Sequence, residues 1–209
     1  MAHKFFEDKI PHSGYTYEEY CKMTQNQIDN ANSENLGETE IERLKIIKLN
    51  QHRSCRIDKQ YSVPDEVREE LNKIFEHQIW MVITENWCGD SAQSLPYIAK
   101  IASLNDNIDL RIVLRDSHPE IMDLYLTNGT RSIPKLVGFD MEGNEEFKWG
   151  PRSEEAQKLM NQWKAEGVVK PELYEKLHFW YGRNHGKEIE EEMLEIMKEQ
   201  ISGSHFISL

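Results

Sequence analysis

The chain has 209 residues, with 25 Lys and Arg against 37 Asp and Glu, so its formal charge is −12 with the histidines neutral. That length can bury roughly 70% of the unfolded surface without disulfide staples, and the three cysteines, Cys21, Cys55 and Cys88, are too few and too far apart for a disulfide framework. Strong acidity argues against nucleic acid or an anionic membrane as main partner, and five Trp favour a packed core over disorder.

The first residues carry neither an apolar leader core nor a small-residue cleavage site, and no run of 18 or so apolar residues follows. A soluble, cytoplasmic protein with reduced thiols is expected. Residues 1 to 14 read as an irregular arm, with Pro11 and Gly14 as breakers. Tyr17 to Asn30 is predicted helical, and the Asn/Ser/Gly-rich stretch from Asn30 to Gly37 a loop. A helix follows from about Thr39, with Ile41, Leu44, Ile47 and Gln51 on one face. Val63-Pro64-Asp65-Glu66 opens another, because Pro suits a first helical position and acids suit the positive end of the helix dipole.

The period then changes. Ile79 to Thr84 is a near-continuous apolar run, as for a strand covered on both faces. A helix to about Leu104 follows, with Leu95, Ile98 and Ala102 as its stripe. Leu110 to Leu114 is a second strand. Ser117-His-Pro-Glu120 has the S-x-x-E capping-box pattern and starts a short helix, stopped by Asn128-Gly129. Lys135 to Phe139 and Glu145 to Trp149 are strands joined by a tight turn. Ser153 caps a helix to about Glu166. The last helical region starts at Pro171, with Leu173, Leu177 and Trp180 on one face. After a weak point at Gly182 to Gly186, Ile189, Met193 and Ile196 form another. The Glu188 to Glu192 run reads as a solvated helix face.

These elements give an α/β protein. A strand–helix–strand unit suggests parallel pairing and the tight turn an antiparallel hairpin, hence a mixed sheet flanked by helices. Three stretches result: an N-terminal arm and helices (1–76), a core (77–166) and a C-terminal helical extension (167–209).

One segment carries chemistry. Cys88 sits directly after a strand, at the first turn of a helix. Unpaired backbone N–H groups and the dipole favour a thiolate there. Gly89 allows close backbone approach, and Trp87 is placed to cover the sulfur. A small buried residue at a strand–helix junction is the alternative for Cys88. No H-E-x-x-H or C-x-x-C pair occurs, so no metal site is expected. No P-loop or dinucleotide fingerprint is present, and no cofactor is expected.

Trp87-Cys88-Gly89-Asp90-Ser91 resembles the active-site turn of thioredoxins, Trp-Cys-Gly-Pro-Cys. Arg131-Ser132-Ile133-Pro134 resembles the family's Ile-Pro segment, whose proline is cis and lies beside the active-site sulfur. Asp116, just after the second strand, also fits. The resemblance covers roughly residues 77 to 166. It implies a thioredoxin-like fold, with Cys88 as nucleophile, Ser91 beside it, and Ile133 and Pro134 lining the substrate site. The implied partner is a protein or small-molecule thiol or disulfide.

Three departures bear on activity. Ser91 stands where thioredoxins have their second cysteine, so a mixed disulfide at Cys88 needs another thiol for release: Cys21, Cys55 or glutathione. Val82 occupies the position of the family's buried acid. Asp90 replaces Pro; its charge should raise the Cys88 pKa relative to the dipole effect alone, or else it serves only to stabilise the helix. The Ser91 hydroxyl is expected to donate to the Cys88 thiolate, or to help cap the helix.

Three functional readings follow. The first is a thiol protein exchanging disulfides through one cysteine. The second is a non-enzymatic module that takes an extended peptide in the groove beside the proline. There the flanking helices either cover that groove or pair two copies as a homodimer. The third is a carrier like the monothiol glutaredoxins, whose Cys-Gly-Phe-Ser turn Cys88-Gly-Asp-Ser91 resembles. There, one thiolate per subunit and glutathione hold an iron–sulfur cluster.

Overall fold

The computed structural model describes residues 3–31 and 36–204. Its elements in chain order are α1 (Lys4–Glu7), α2 (Tyr17–Asp29), α3 (Glu38–Gln60), α4 (Asp65–Leu71), β1 (Gln78–Thr84), α5 (Gly89–Ala102) and β2 (Ile108–Leu114). They continue with α6 (Pro119–Met122), β3 (Lys135–Phe139), β4 (Glu145–Trp149), α7 (Glu154–Ala165), α8 (Lys170–Asn184) and α9 (Lys187–Ser204). The four-stranded sheet has the order β2-β1-β3-β4. β1 runs parallel to β2 and antiparallel to β3, and β3 pairs antiparallel with β4.

The side-chain alternation of a strand explains why Ile79 to Ile83 of β1 are all apolar. Trp80 and Val82 enter one hydrophobic cluster, with Ile112 and Leu136. Ile79, Met81 and Ile83 enter a second on the opposite face, with Val113, Val137 and Phe139. The first cluster draws on all three stretches of the sequence: Tyr20, Ile57 and Leu71 before the sheet, Leu95 and Ile98 within it, Ile189, Met193 and Met197 after it. The boundaries at 76/77 and 166/167 therefore divide the sequence but not the core.

α5 is buried nearly all round, beyond its expected stripe. It has the sheet beneath it, while α3, α8 and α9 pack along its outer sides. α2 starts at a capping box, with Thr16 N–H donating to Glu19 Oε2 at 2.8 Å and Glu19 N–H to Thr16 Oγ1 at 3.3 Å. Among the described residues, no helix is long and apolar enough to cross a membrane.

Several local expectations need correction. The arm is not wholly irregular: α1 buries Phe5, and Tyr15 bridges the edge of β2 at Ile112. The Ser117 box does not form. Ser117 and His118 amides both donate to Leu114 O, extending the turn after β2, so α6 starts at Pro119 with His118 as its N-cap. On α8 the third buried residue is Tyr181, with Trp180 only partly covered, because the Tyr181 hydroxyl finds a buried acceptor. On α9, Met197 is buried in place of Ile196, continuing the four-residue spacing from Ile189 and Met193. The acidic run is not simply solvated, since Glu192 accepts from Trp149 Nε1 and from the Glu154 amide at 2.6 Å.

Candidate functional site

β1 ends at Thr84, and a short turn places Cys88 at the N-cap of α5. The Cys88 amide donates to Glu85 O and its carbonyl accepts from Ala92, so the backbone of the cysteine is fixed on both sides. Its side chain is 8% exposed. The Sγ donates to Ile133 O at 3.3 Å. Burial pushes the thiol pKa up, and the Asp90 charge pushes it further; the Ser91 hydroxyl and the amides of Ser91 and Asp90 pull it down. The balance leaves it at about 11. Burial, the largest of these causes, thus works against the thiolate that the helix end favours. Ser91 receives the Thr84 hydroxyl hydrogen at 2.5 Å, leaving its own hydrogen for the sulfur.

Asp90 has a role that sequence reasoning missed. It is buried, and Arg152 reaches it with two bonds, Nε to Oδ1 at 3.0 Å and Nη2 to Oδ2 at 2.6 Å. Tyr181 donates its hydroxyl to Oδ1 at 2.9 Å. Burial raises the Asp90 pKa, while Arg152 and Tyr181 oppose that rise. The Cys88 turn is thus tied to the loop before α7 and to α8. The signal was available in part: a carboxylate in place of Pro, on an otherwise buried turn, requires a cationic partner.

The Ile133–Pro134 and Gly150–Pro151 peptide bonds are both cis. Pro134 is buried, and its carbonyl lies where a Cβ on Gly150 would come to 2.4 Å. Gly150 has φ +101°, a conformation that glycine adopts without a Cβ penalty. Lys135 Nζ closes the same corner by donating to Gly150 O at 2.8 Å. This corner places Arg152 against Asp90.

The thioredoxin family model matches residues 37–164. The chain belongs to the thioredoxin family. The match begins at α3, earlier than the turn and proline motifs alone suggest. No curated protein matched the chain. Among solved structures it is similar to a Pseudomonas aeruginosa protein of unknown function, at TM-score 0.57 and 16% identity, over 88% of this chain and 98% of that one. It is also similar to an HIV epitope-scaffold, at TM-score 0.55 and 16% identity, over 88% and 99%. These two likenesses are of fold.

Above the turn of this thioredoxin-family chain lies a cleft. α3 and α8 flank the Cys88 turn and enclose about 690 Å³, lined by Cys88, Gly89, Asp90, Ile133 and residues of both helices. Ile46 and Leu49 of α3 and Tyr174 of α8 are exposed large side chains along its walls. Pro134 does not line it. Gly89 has its close approach here, for a Cβ on it would lie 2.8 Å from the His178 ring. Trp87 packs under two guanidinium groups, Arg115 at 4.6 Å and Arg43 at 5.3 Å from its ring centroid. Glu85, behind the turn, accepts from the Asp116 amide at 2.8 Å.

All three thiols are free. Cys21 and Cys88 both line a narrow chamber between α2, α3 and α5. Burial pushes Cys21 up to about 11 as well. Val82 is fully buried among apolar side chains, so no carboxylate stands at that place in the strand.

Proposed function

We propose that the chain is a thioredoxin-like thiol protein that exchanges disulfides through Cys88 alone. The observation that carries this reading is the setting of the sulfur. It lies at the N-terminal end of α5, against the Ile133 carbonyl, at the floor of a cleft of about 690 Å³. In the step, Cys88 Sγ bonds to one sulfur of a substrate disulfide and the S–S bond breaks. The other sulfur leaves as thiolate and takes up the proton that Cys88 gives up. A second thiol molecule then attacks the mixed disulfide and restores the Cys88 thiol. The resting thiol is held protonated by burial. The charge that develops on sulfur meets the Ser91 hydroxyl and the amides of Asp90 and Ser91.

The test is mass spectrometry of the reduced protein after incubation with 2-hydroxyethyl disulfide at pH 8.5, with the modified residue located by peptide mapping. An adduct on Cys88 that a glutathione chase removes supports the reading. Absence of a Cys88 adduct while Cys21 or Cys55 reacts would overturn it.

A further inference from the structure

On a chain of net charge −12, the cleft above Cys88 is lined by five cations, Arg53, Arg115, Arg131, Arg152 and Lys170, and by one carboxylate, Asp90. We propose that this cleft binds a small disulfide or thiol carrying carboxylate groups, held by Arg53 and Lys170 while its sulfur meets Cys88. The proposal rests on the exchange reading above and names its substrate class.

The cations are not equivalent. Arg152 is neutralised by Asp90. Arg131 is paired with Asp123, and Arg115 with Asp116, which Arg43 shares. Arg53 and Lys170 have no carboxylate partner among the described residues. Arg53 is partly buried on α3 and donates to Asn50 Oδ1 at 3.0 Å, a neutral acceptor. Burial and the neighbouring Arg56 both disfavour its charge. His178, beside it, is held neutral and supplies no counter-charge. An uncompensated, partly desolvated guanidinium is an attractive point for a carboxylate, and its planar fork suits two-point binding. Lys170 stands on the opposite wall, at the start of α8. Two cations on the two helices that line the cleft with Cys88 fit a ligand bearing more than one carboxylate.

Size points the same way. The volume falls within the range of small-molecule sites, roughly 300–1,000 Å³. α3 and α8 flank the turn and leave the Cys88 side chain 8% exposed, which restricts approach by a folded protein. Ile46, Leu49 and Tyr174 offer apolar contact for the ligand's carbon skeleton.

The experiment compares three small disulfides with the whole protein at low ionic strength: the dianion 3,3′-dithiodipropionate, neutral 2-hydroxyethyl disulfide and the dication cystamine. Rates of Cys88 adduct formation are normalised to each reagent's rate with 2-mercaptoethanol, a thiol without a further charged group. The expected result is a preference of at least about tenfold for the dianion over the neutral reagent, the lower end of electrostatic rate effects. That preference shrinks at high salt and in Arg53→Gln, and it is retained in Arg53→Lys. Lys170→Gln, at an exposed position, gives the same loss should Arg53→Gln fold poorly. Equal normalised rates, or faster reaction with cystamine, would overturn the proposal while leaving the exchange reading standing. If Cys88 reacts with none of the three, the exchange reading falls. The anion site is then decided by calorimetric titration of S-methylglutathione into the Cys88→Ser variant: binding lost on adding Arg53→Gln upholds the site, and no binding overturns it.

Discussion

Asp90 and Arg152 are 62 residues apart in the chain and meet in a two-bond ion pair, with Nε–Oδ1 at 3.0 Å and Nη2–Oδ2 at 2.6 Å, two residues from the Cys88 sulfur. Both side chains are largely withdrawn from water, at 8% and 15% exposure. The pair therefore has two consequences. It anchors the loop before α7 to the turn, and it sets the charge beside the thiol: a carboxylate that raises the Cys88 pKa, partly balanced by a guanidinium.

Asp90→Ala should destabilise the fold by about 3–5 kcal/mol, the usual cost of leaving a buried charge without its partner. Denaturant unfolding measures it. Asp90→Asn keeps most of the hydrogen bonding but removes the negative charge. The Cys88 pKa should then fall from about 11, because the second cause of its elevation is gone while Arg152 remains. The midpoint of iodoacetamide alkylation rate against pH reads this directly. A midpoint that stays in place would show that burial alone controls the thiol.

Ser91→Ala should act in the opposite direction on the sulfur. The Ser91 hydroxyl lowers the Cys88 pKa, so its loss raises the alkylation midpoint further. It also strands the Thr84 hydroxyl, which donates to Ser91 Oγ at 2.5 Å within the buried turn. That should cost about 1–3 kcal/mol in unfolding free energy. Ser91→Cys is the complementary variant. It places a thiol where a two-cysteine turn has its resolving group, and mild oxidation should remove two of the four titratable thiols that result from adding one to the native three.

Much of this site is legible in the residues, and the part that is not has a common cause. The strand before Cys88, the helix after it and the proline segment are local patterns, set by periodicity and by neighbours in sequence. The Asp90–Arg152–Tyr181 cluster is a meeting of three distant segments, and nothing near Asp90 announces its partners. The cleft is hidden for the same reason. Ile46, Leu49 and Arg53 lie on the outer side of a helix whose buried row is Leu44, Ile47, Asn50 and Ile57, so a one-stripe reading leaves them as surface. The net charge of −12 also hides a local excess of cations. The helix-end argument for a thiolate left burial out: the favourable amides are present, and burial opposes them as the larger effect.

Gly150→Ala should damage the site from outside it. The residue needs a positive φ of 101°, and a Cβ there would come within 2.4 Å of Pro134 O. A backbone atom cannot swing away as a long side chain does, so the corner must shift and take Arg152 with it. The expected result is a loss of at least about 1–3 kcal/mol of stability, with a Cys88 alkylation profile altered as well. Gly129→Ala is the control. Its φ of +72° brings a similar conformational cost, but nothing lies within 4 Å of its Cβ, so the alkylation profile should stay unchanged.

The packing of His178 on Gly89 leads to a coupled prediction in stability and in pH. A methyl group at Gly89 would lie 2.8 Å from the imidazole, so Gly89→Ala should cost about 1–3 kcal/mol by overpacking. His178→Ala removes the obstacle, and the double variant should be less destabilised than the sum of the singles. A cycle that is additive would mean that the ring moves aside freely. Burial, with Arg53 and Arg152 nearby, lowers the His178 pKa from 6.5 to about 4. The folded state therefore resists a proton that the unfolded chain accepts. The stability due to the neutral ring is fully present above pH 6.5 and is lost as the pH falls towards 4. Unfolding free energies measured between pH 7.5 and 4 should decline in that window for the natural chain. The decline should be shallower in His178→Gln, which keeps a polar side chain but cannot titrate. Equal slopes in the two proteins would assign the acid sensitivity to other groups and remove His178 from the account.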